Sequence, residues 1–143
     1  MQNVDVLYLS KDNRSTNIVC IDGKKTNIDK LLNNVLDELC YQSLSTFNGM
    51  VEAINHIYDI HNYVPLYLNE DLILQPIYPK KYWTQIYINI TMIKDIIPNN
   101  DNTTIIFMDN TSLDVEITTK KIKQLVDQCL KIKNDQLKKK GII

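Results

Sequence analysis

Residues 64–76 read VPLYLNEDLILQP, and the recurrence of their apolar side chains decides the fold class. Upstream, apolar residues return every three or four positions. From Val64 onward they return every second one, with Val64, Leu66 and Leu68 on one face. A period of two belongs to a strand that turns one face to a core. The polar NED between VPLYL and LILQP supplies a turn, so the two runs predict an antiparallel hairpin.

The same period continues downstream. QIYINITM, residues 85–92, sends Ile86, Ile88, Ile90 and Met92 inward and Tyr87, Asn89 and Thr91 outward. TTIIFMDNTSLDVEIT, residues 103–118, predicts a second hairpin, turning at Asp109-Asn110, with Leu113, Val115 and Ile117 alternating with polar residues. Upstream, VDVLYLS and TNIVCIDG predict two strands separated by KDNRS and closed by Gly23. Thr26-x-x-Asp29 resembles a capping box, and Ile28, Leu31, Leu32, Val35 and Leu39 share a face, predicting a helix from about 27 to 41. Ser45 is placed to cap a second helix ending near Tyr58. TTKKIKQLVDQCLKIKNDQLKKK, residues 118–140, is a basic amphipathic helix whose apolar face is Ile122, Leu125, Val126, Cys129 and Ile132. The fold class is therefore α+β: an antiparallel β-sheet carrying two helices from the N-terminal half and the basic C-terminal helix. A single domain is expected over 1–143, with a short lysine-rich tail from about 134.

Composition narrows the class. The chain is 44% apolar and 23% charged, as in globular proteins rather than disordered ones. No apolar run reaches the length of about 18 residues needed to span a bilayer, and MQNVDVLYLSKD lacks the basic start and apolar stretch of a secretory signal. Cys20, Cys40 and Cys129 are scattered and odd in number, which predicts buried free thiols in a reducing cytoplasm. The net charge of −1 conceals a polarity: residues 1–79 hold 5 basic and 10 acidic side chains, whereas residues 120–143 hold 8 lysines and 2 aspartates.

No catalytic constellation can be assembled. The three glycines stand alone, so no phosphate loop forms. Glu52 and His56 lie four apart on one helix, with Asp59 and His61 following, but nothing completes four-coordination. Cys40 with His56 or His61 is the only nucleophile arrangement, and Cys40 ends an apolar face. Neither enzyme activity, cofactor, metal nor small-molecule substrate is expected. Binding is the stronger reading. Lys120, Lys131 and Lys138 fall within about 20° on a helical wheel and span roughly 27 Å, enough to follow phosphates over most of a DNA turn. Lys80 and Lys81, inside the aromatic stretch YPKKYW, add a second basic patch. Gly49 is a third candidate. It costs about 1 kcal/mol relative to alanine inside a helix, and it lies opposite Phe47, Val51 and Ile54, where the missing side chain admits another backbone or a phosphate. Equally, it marks a loop ending where the helix begins.

The segment from about 39 to 130 resembles the ComK family of competence transcription factors. CYQSLSTFNGMVEA matches the family's Cys, then Tyr-Gly-x-Ser/Thr-x-x-Gly, with Cys40, Tyr41, Ser45 or Thr46, and Gly49. Pro65, Pro79 in PIYP, the strand YINITMIKDI with Tyr87 in place of a tryptophan, TTIIFMDNT, and Gln124 follow in the family's order. Met50 and Asp127 stand at positions where the family carries basic residues, and the family's longer C-terminal tail is not expected here. The resemblance implies a regulator that binds double-stranded AT-rich DNA as a dimer or higher assembly, in the cytoplasm. Two alternatives remain: a LytTR-like DNA-binding domain, or a protein-interaction module that modulates a related regulator without touching DNA.

Overall fold

The computed structural model describes residues 5–79 and 82–141. Strands β1 (Val6–Asp12), β2 (Ser15–Cys20), β3 (Lys24–Ile28), β4 (Leu66–Asn69), β5 (Leu72–Pro76) and β6 (Ile86–Asn89) form one sheet in the order β3-β2-β1-β6-β5-β4. Strands β7 (Ile93–Asn99), β8 (Asn102–Phe107) and β9 (Ser112–Val115) form a second sheet in chain order. Every pairing is antiparallel. Helices α1 (Leu32–Tyr41), α2 (Phe47–Tyr58) and α3 (Thr119–Lys139) complete an α+β fold, with the strands divided between two sheets instead of the expected one.

Both faces of the larger sheet are covered. On one side Val6, Leu9, Ile18, Leu66, Leu74 and Tyr87 pack against Leu32, Val35, Leu36 and Leu39 of α1, with Phe47, Met50 and Val51 of α2 alongside. On the other, Leu7, Val19, Ile77 and Ile88 meet Ile105, Phe107 and Val115 of the second sheet and Ile122 and Leu125 of α3. β1 serves both layers, and a bulge between Val6 and Tyr8 turns two consecutive residues, Leu7 and Tyr8, to one cluster while Val6 and Leu9 join the other.

This double burial corrects one expectation. Tyr87 and Asn89, read as outward, are 7% and 0% exposed. Asn89 survives there because every polar atom is used. Its Nδ2 donates to Val6 O (2.9 Å) and Asp71 O (3.1 Å), and its Oδ1 accepts from Ile73 N (3.2 Å), Thr91 N (3.3 Å) and Thr91 Oγ1 (2.9 Å). A second correction concerns residues 24–31. Thr26 caps nothing; it lies in β3 opposite Ile18, Ile28 pairs with Thr16, and α1 begins only at Leu32, without a side-chain cap. The backbone of 24–28 gains a ladder along β2, which outweighs one extra helical turn. At α2 the cap is Thr46, one residue after the expected Ser45. The hairpins at β4–β5 and β8–β9 form as the alternation predicts.

The β8–β9 turn is tied to the larger sheet through Asp109. Its Oδ2 accepts from Asp22 N at 2.6 Å, and its Oδ1 accepts from Thr111 N (3.0 Å) and Thr111 Oγ1 (2.6 Å). Burial works to raise the carboxyl, but the hydrogen bonds from Thr111 and Asp22 outweigh it and hold the group below its ordinary value. A depressed folded value means stabilisation that is complete above the unfolded value and lost as pH falls through the folded one. Asp109→Asn should therefore flatten the stability–pH curve below about pH 4. Denaturant midpoints measured down the acid limb check this, and an unchanged slope in the variant would exclude the carboxylate as its source.

Candidate nucleic-acid interface

Helix α3 is positioned by its apolar stripe. Ile122, Leu125, Cys129 and Ile132 are each at most 4% exposed, and Val126 is half-buried. Thr118 caps the start by accepting from Lys121 N at 3.3 Å. Two polar clasps hold the helix. Cys129 Sγ donates to Gln75 Oε1 (3.0 Å), while Gln75 Nε2 and Gln128 Nε2 both donate to Tyr63 O (2.7 and 3.3 Å). Farther along, Tyr58 OH donates to Asp135 Oδ2 at 2.5 Å and accepts from Gln136 Nε2 at 2.7 Å. The Tyr58 hydroxyl, with Lys139 beside it, holds the Asp135 carboxyl below its ordinary value.

Three lysines of α3 and its C-terminal cap have partners within the fold. Lys121 sits over the Tyr63 ring at 4.4 Å, Lys139 pairs with Asp135 at 3.1 Å, and Lys140 lies 3.9 Å from Glu70. These three serve the fold. Lys120, Lys131 and Lys138 are exposed, and among the described residues none of them has an ion pair or an aromatic partner. Lys123 is exposed too, and belongs to this free set although the wheel sets it about 60° from the row. Its spacing of three from Lys120 was the available signal. Asp127 interrupts the same face. Lys80 and Lys81 lie outside the described residues.

Gly49 stands at the third position of α2, and its N donates to the capping Thr46 Oγ1 at 2.9 Å. A Cβ there would sit 3.0 Å from Thr46 Oγ1 and 3.2 Å from Ser45 Oγ. The close approach that the glycine permits is thus made by two hydroxyls of its own capping turn. The first amide of α2, Phe47 N, donates to Asp37 Oδ1 at 2.7 Å, which places a carboxylate at this helix start. Met50 is half-buried between α1 and the α2–α3 contact.

The other candidate chemistry disperses. His61 Nε2 bonds Asp59 Oδ1 at 2.8 Å while Glu52 and His56 face solvent, and among the described residues no three metal-ligating side chains gather. Cys40 is sealed in the α1 core, where burial pushes its thiol up to about 11; burial pushes Cys129 up to about 12. Neither is a thiolate at neutral pH. No helix among the described residues is long and apolar enough to cross a membrane.

The family model for the ComK protein matches residues 5–139. The chain belongs to the ComK family. Its likeness extends beyond the motifs of 39–130 to the N-terminal strands, so β1–β3 are part of the family's domain rather than an addition. Searches of curated proteins and of solved structures return no match. ComK proteins are transcription factors of competence that bind DNA, and this chain is a ComK-like transcription factor in that general sense. In this ComK-type fold the motif residues fall at element ends: Cys40 and Tyr41 close α1, Thr46 and Gly49 open α2, and Gln124 lies exposed on α3.

Proposed function

We propose that this ComK-like regulator binds double-stranded AT-rich DNA through the solvent face of α3, acting in the cytoplasm as a homo-oligomer on competence genes. The observation that carries the proposal is the row Lys120, Lys131 and Lys138, exposed and unpaired among the described residues, with Lys123 beside it. A fold that needed those charges for itself would pair them, as it pairs Lys139 and Lys140. Ammonium groups spread over roughly 27 Å of rigid helix suit a run of phosphates, and each phosphate neutralised releases condensed counterions. An A-tract adds preference because its narrow minor groove concentrates negative potential. The interface rests on α3 and not on Gly49, whose open side the cap hydroxyls fill.

Mobility shift at two salt concentrations, on A/T-tract and on G/C duplexes, tests this. Binding should weaken steeply with salt and favour the A/T tract. Absence of binding to every duplex at low salt would sink the proposal. It would favour the second reading, a module that pairs with a related regulator, to which Leu44 (97% exposed) and Ile57 (53% exposed) offer apolar surface.

A further inference from the structure

Trp83, the only tryptophan, is 79% exposed, and Tyr82 beside it is 52% exposed. An indole is large and mostly apolar, so a fold that leaves it in water forgoes the gain of burying it. Hydrogen bonds nevertheless anchor the described residues around it. Tyr82 N donates to Pro79 O at 2.9 Å, and Gln85 Nε2 donates to Pro79 O (2.9 Å) and Tyr82 O (2.8 Å). Gln85 O accepts from Lys11 N of β1 at 2.9 Å, and the Lys11 ammonium stands 5.0 Å from the Trp83 ring. The turn also has a fixed relation to α3. Tyr82 stacks on Tyr78 at 6.1 Å between centroids, and the Tyr78 hydroxyl accepts from Glu116 N at 3.1 Å, two residues before the Thr118 cap. The exposed indole therefore stands at the end of β1 with the Lys11 cation against it.

We propose that Trp83 is an apolar contact to duplex DNA, its indole pressed against a base step while Lys11 holds an adjoining phosphate; this rests on the DNA-binding reading above. Lysines on phosphates position a protein without reading sequence. An aromatic side chain presented beside them supplies what they lack, since it stacks on bases or opens a flexible pyrimidine–purine step, and such steps abound in AT-rich DNA. A partner protein would suit the indole, but the Lys11 ammonium beside it favours an anionic partner.

Because Trp83 is the only tryptophan, its emission reports the contact directly. A labelled duplex containing TA steps, followed by anisotropy, gives binding, while indole emission and its accessibility to acrylamide give the contact. The expected result is quenched, acrylamide-protected emission in step with binding. Trp83→Ala should weaken affinity roughly five- to hundredfold and leave the salt slope unchanged, because no charge is removed; Trp83→Phe should fall between. Circular dichroism checks that both variants keep the wild-type denaturant midpoint, and the wild-type emission stands as evidence whatever they do. Duplex bound with indole emission and accessibility unaltered, or Trp83→Ala binding within twofold of wild type, would overturn the wedge and leave DNA binding intact. A duplex that does not bind at low salt would overturn both.

Discussion

Replacing Lys120, Lys131 and Lys138 together by glutamine is expected to cost on the order of a hundred- to thousandfold in duplex affinity near 50 mM salt. The slope of log affinity against log salt should shrink by up to about 3, nearly one unit for each phosphate that is no longer neutralised. The fold should barely register the change. All three side chains are exposed and unpaired among the described residues, and glutamine is about as good a helix former as lysine, so stability should stay within about 0.5 kcal/mol. A flat response in both affinity and slope would clear α3 of any DNA contact. A drop in affinity with an unchanged slope would mean that the helix acts through folding or assembly rather than through phosphates.

The second large effect is on stability. Asn89→Leu is expected to cost about 3–4 kcal/mol, a large share of what a domain of this size has. The side chain is fully buried, and its amide bonds backbone groups of Val6, Asp71, Ile73 and Thr91. Leucine keeps the branched shape, though it is bulkier, and leaves several of those groups without partners inside the fold, where each stranded group costs about 1–3 kcal/mol. Thr91→Val, which removes a hydroxyl whose one proton can go to either Asp71 O or Asn89 Oδ1, is the milder control at about 1 kcal/mol. Denaturant midpoints for the three proteins decide the matter. A loss below about 1 kcal/mol for Asn89→Leu would show that water repairs the site, and that the asparagine is replaceable.

The resemblance to the ComK pattern sets Met50 and Asp127 at positions of basic residues, and the structure places these two side chains differently. Met50 is half-buried against two apolar clusters, so it contributes to packing. Asp127 sits on the free face of α3 and offsets part of the lysine field. Its position makes the lysine row discontinuous, with Lys120 and Lys123 before it and Lys131 and Lys138 after it.

Periodicity determined the elements whose partners lie close in sequence or whose burial has a single face. The β8–β9 hairpin, most of α2, and α3 with its stripe of Ile122, Leu125, Cys129 and Ile132 were legible because one side meets a core and the other meets water, and the β4–β5 hairpin because a polar turn separates two short apolar runs adjacent in sequence. The lysine row of α3 was legible for the same reason, as the complement of that stripe. Tertiary structure alone decided the rest. Residues 24–28 carry a pattern that suits a helix start as well as a strand, and only the proximity of β2 made the strand the better outlet for their backbone hydrogen bonds. Tyr87 is buried because α1 covers its face while the second sheet and α3 cover the opposite face, that of Ile88, and alternation cannot report a strand buried on both sides. Which lysines remain free for a ligand was likewise settled by distant residues, Tyr63, Glu70 and the Tyr58–Asp135 clasp, that no local pattern in α3 announces.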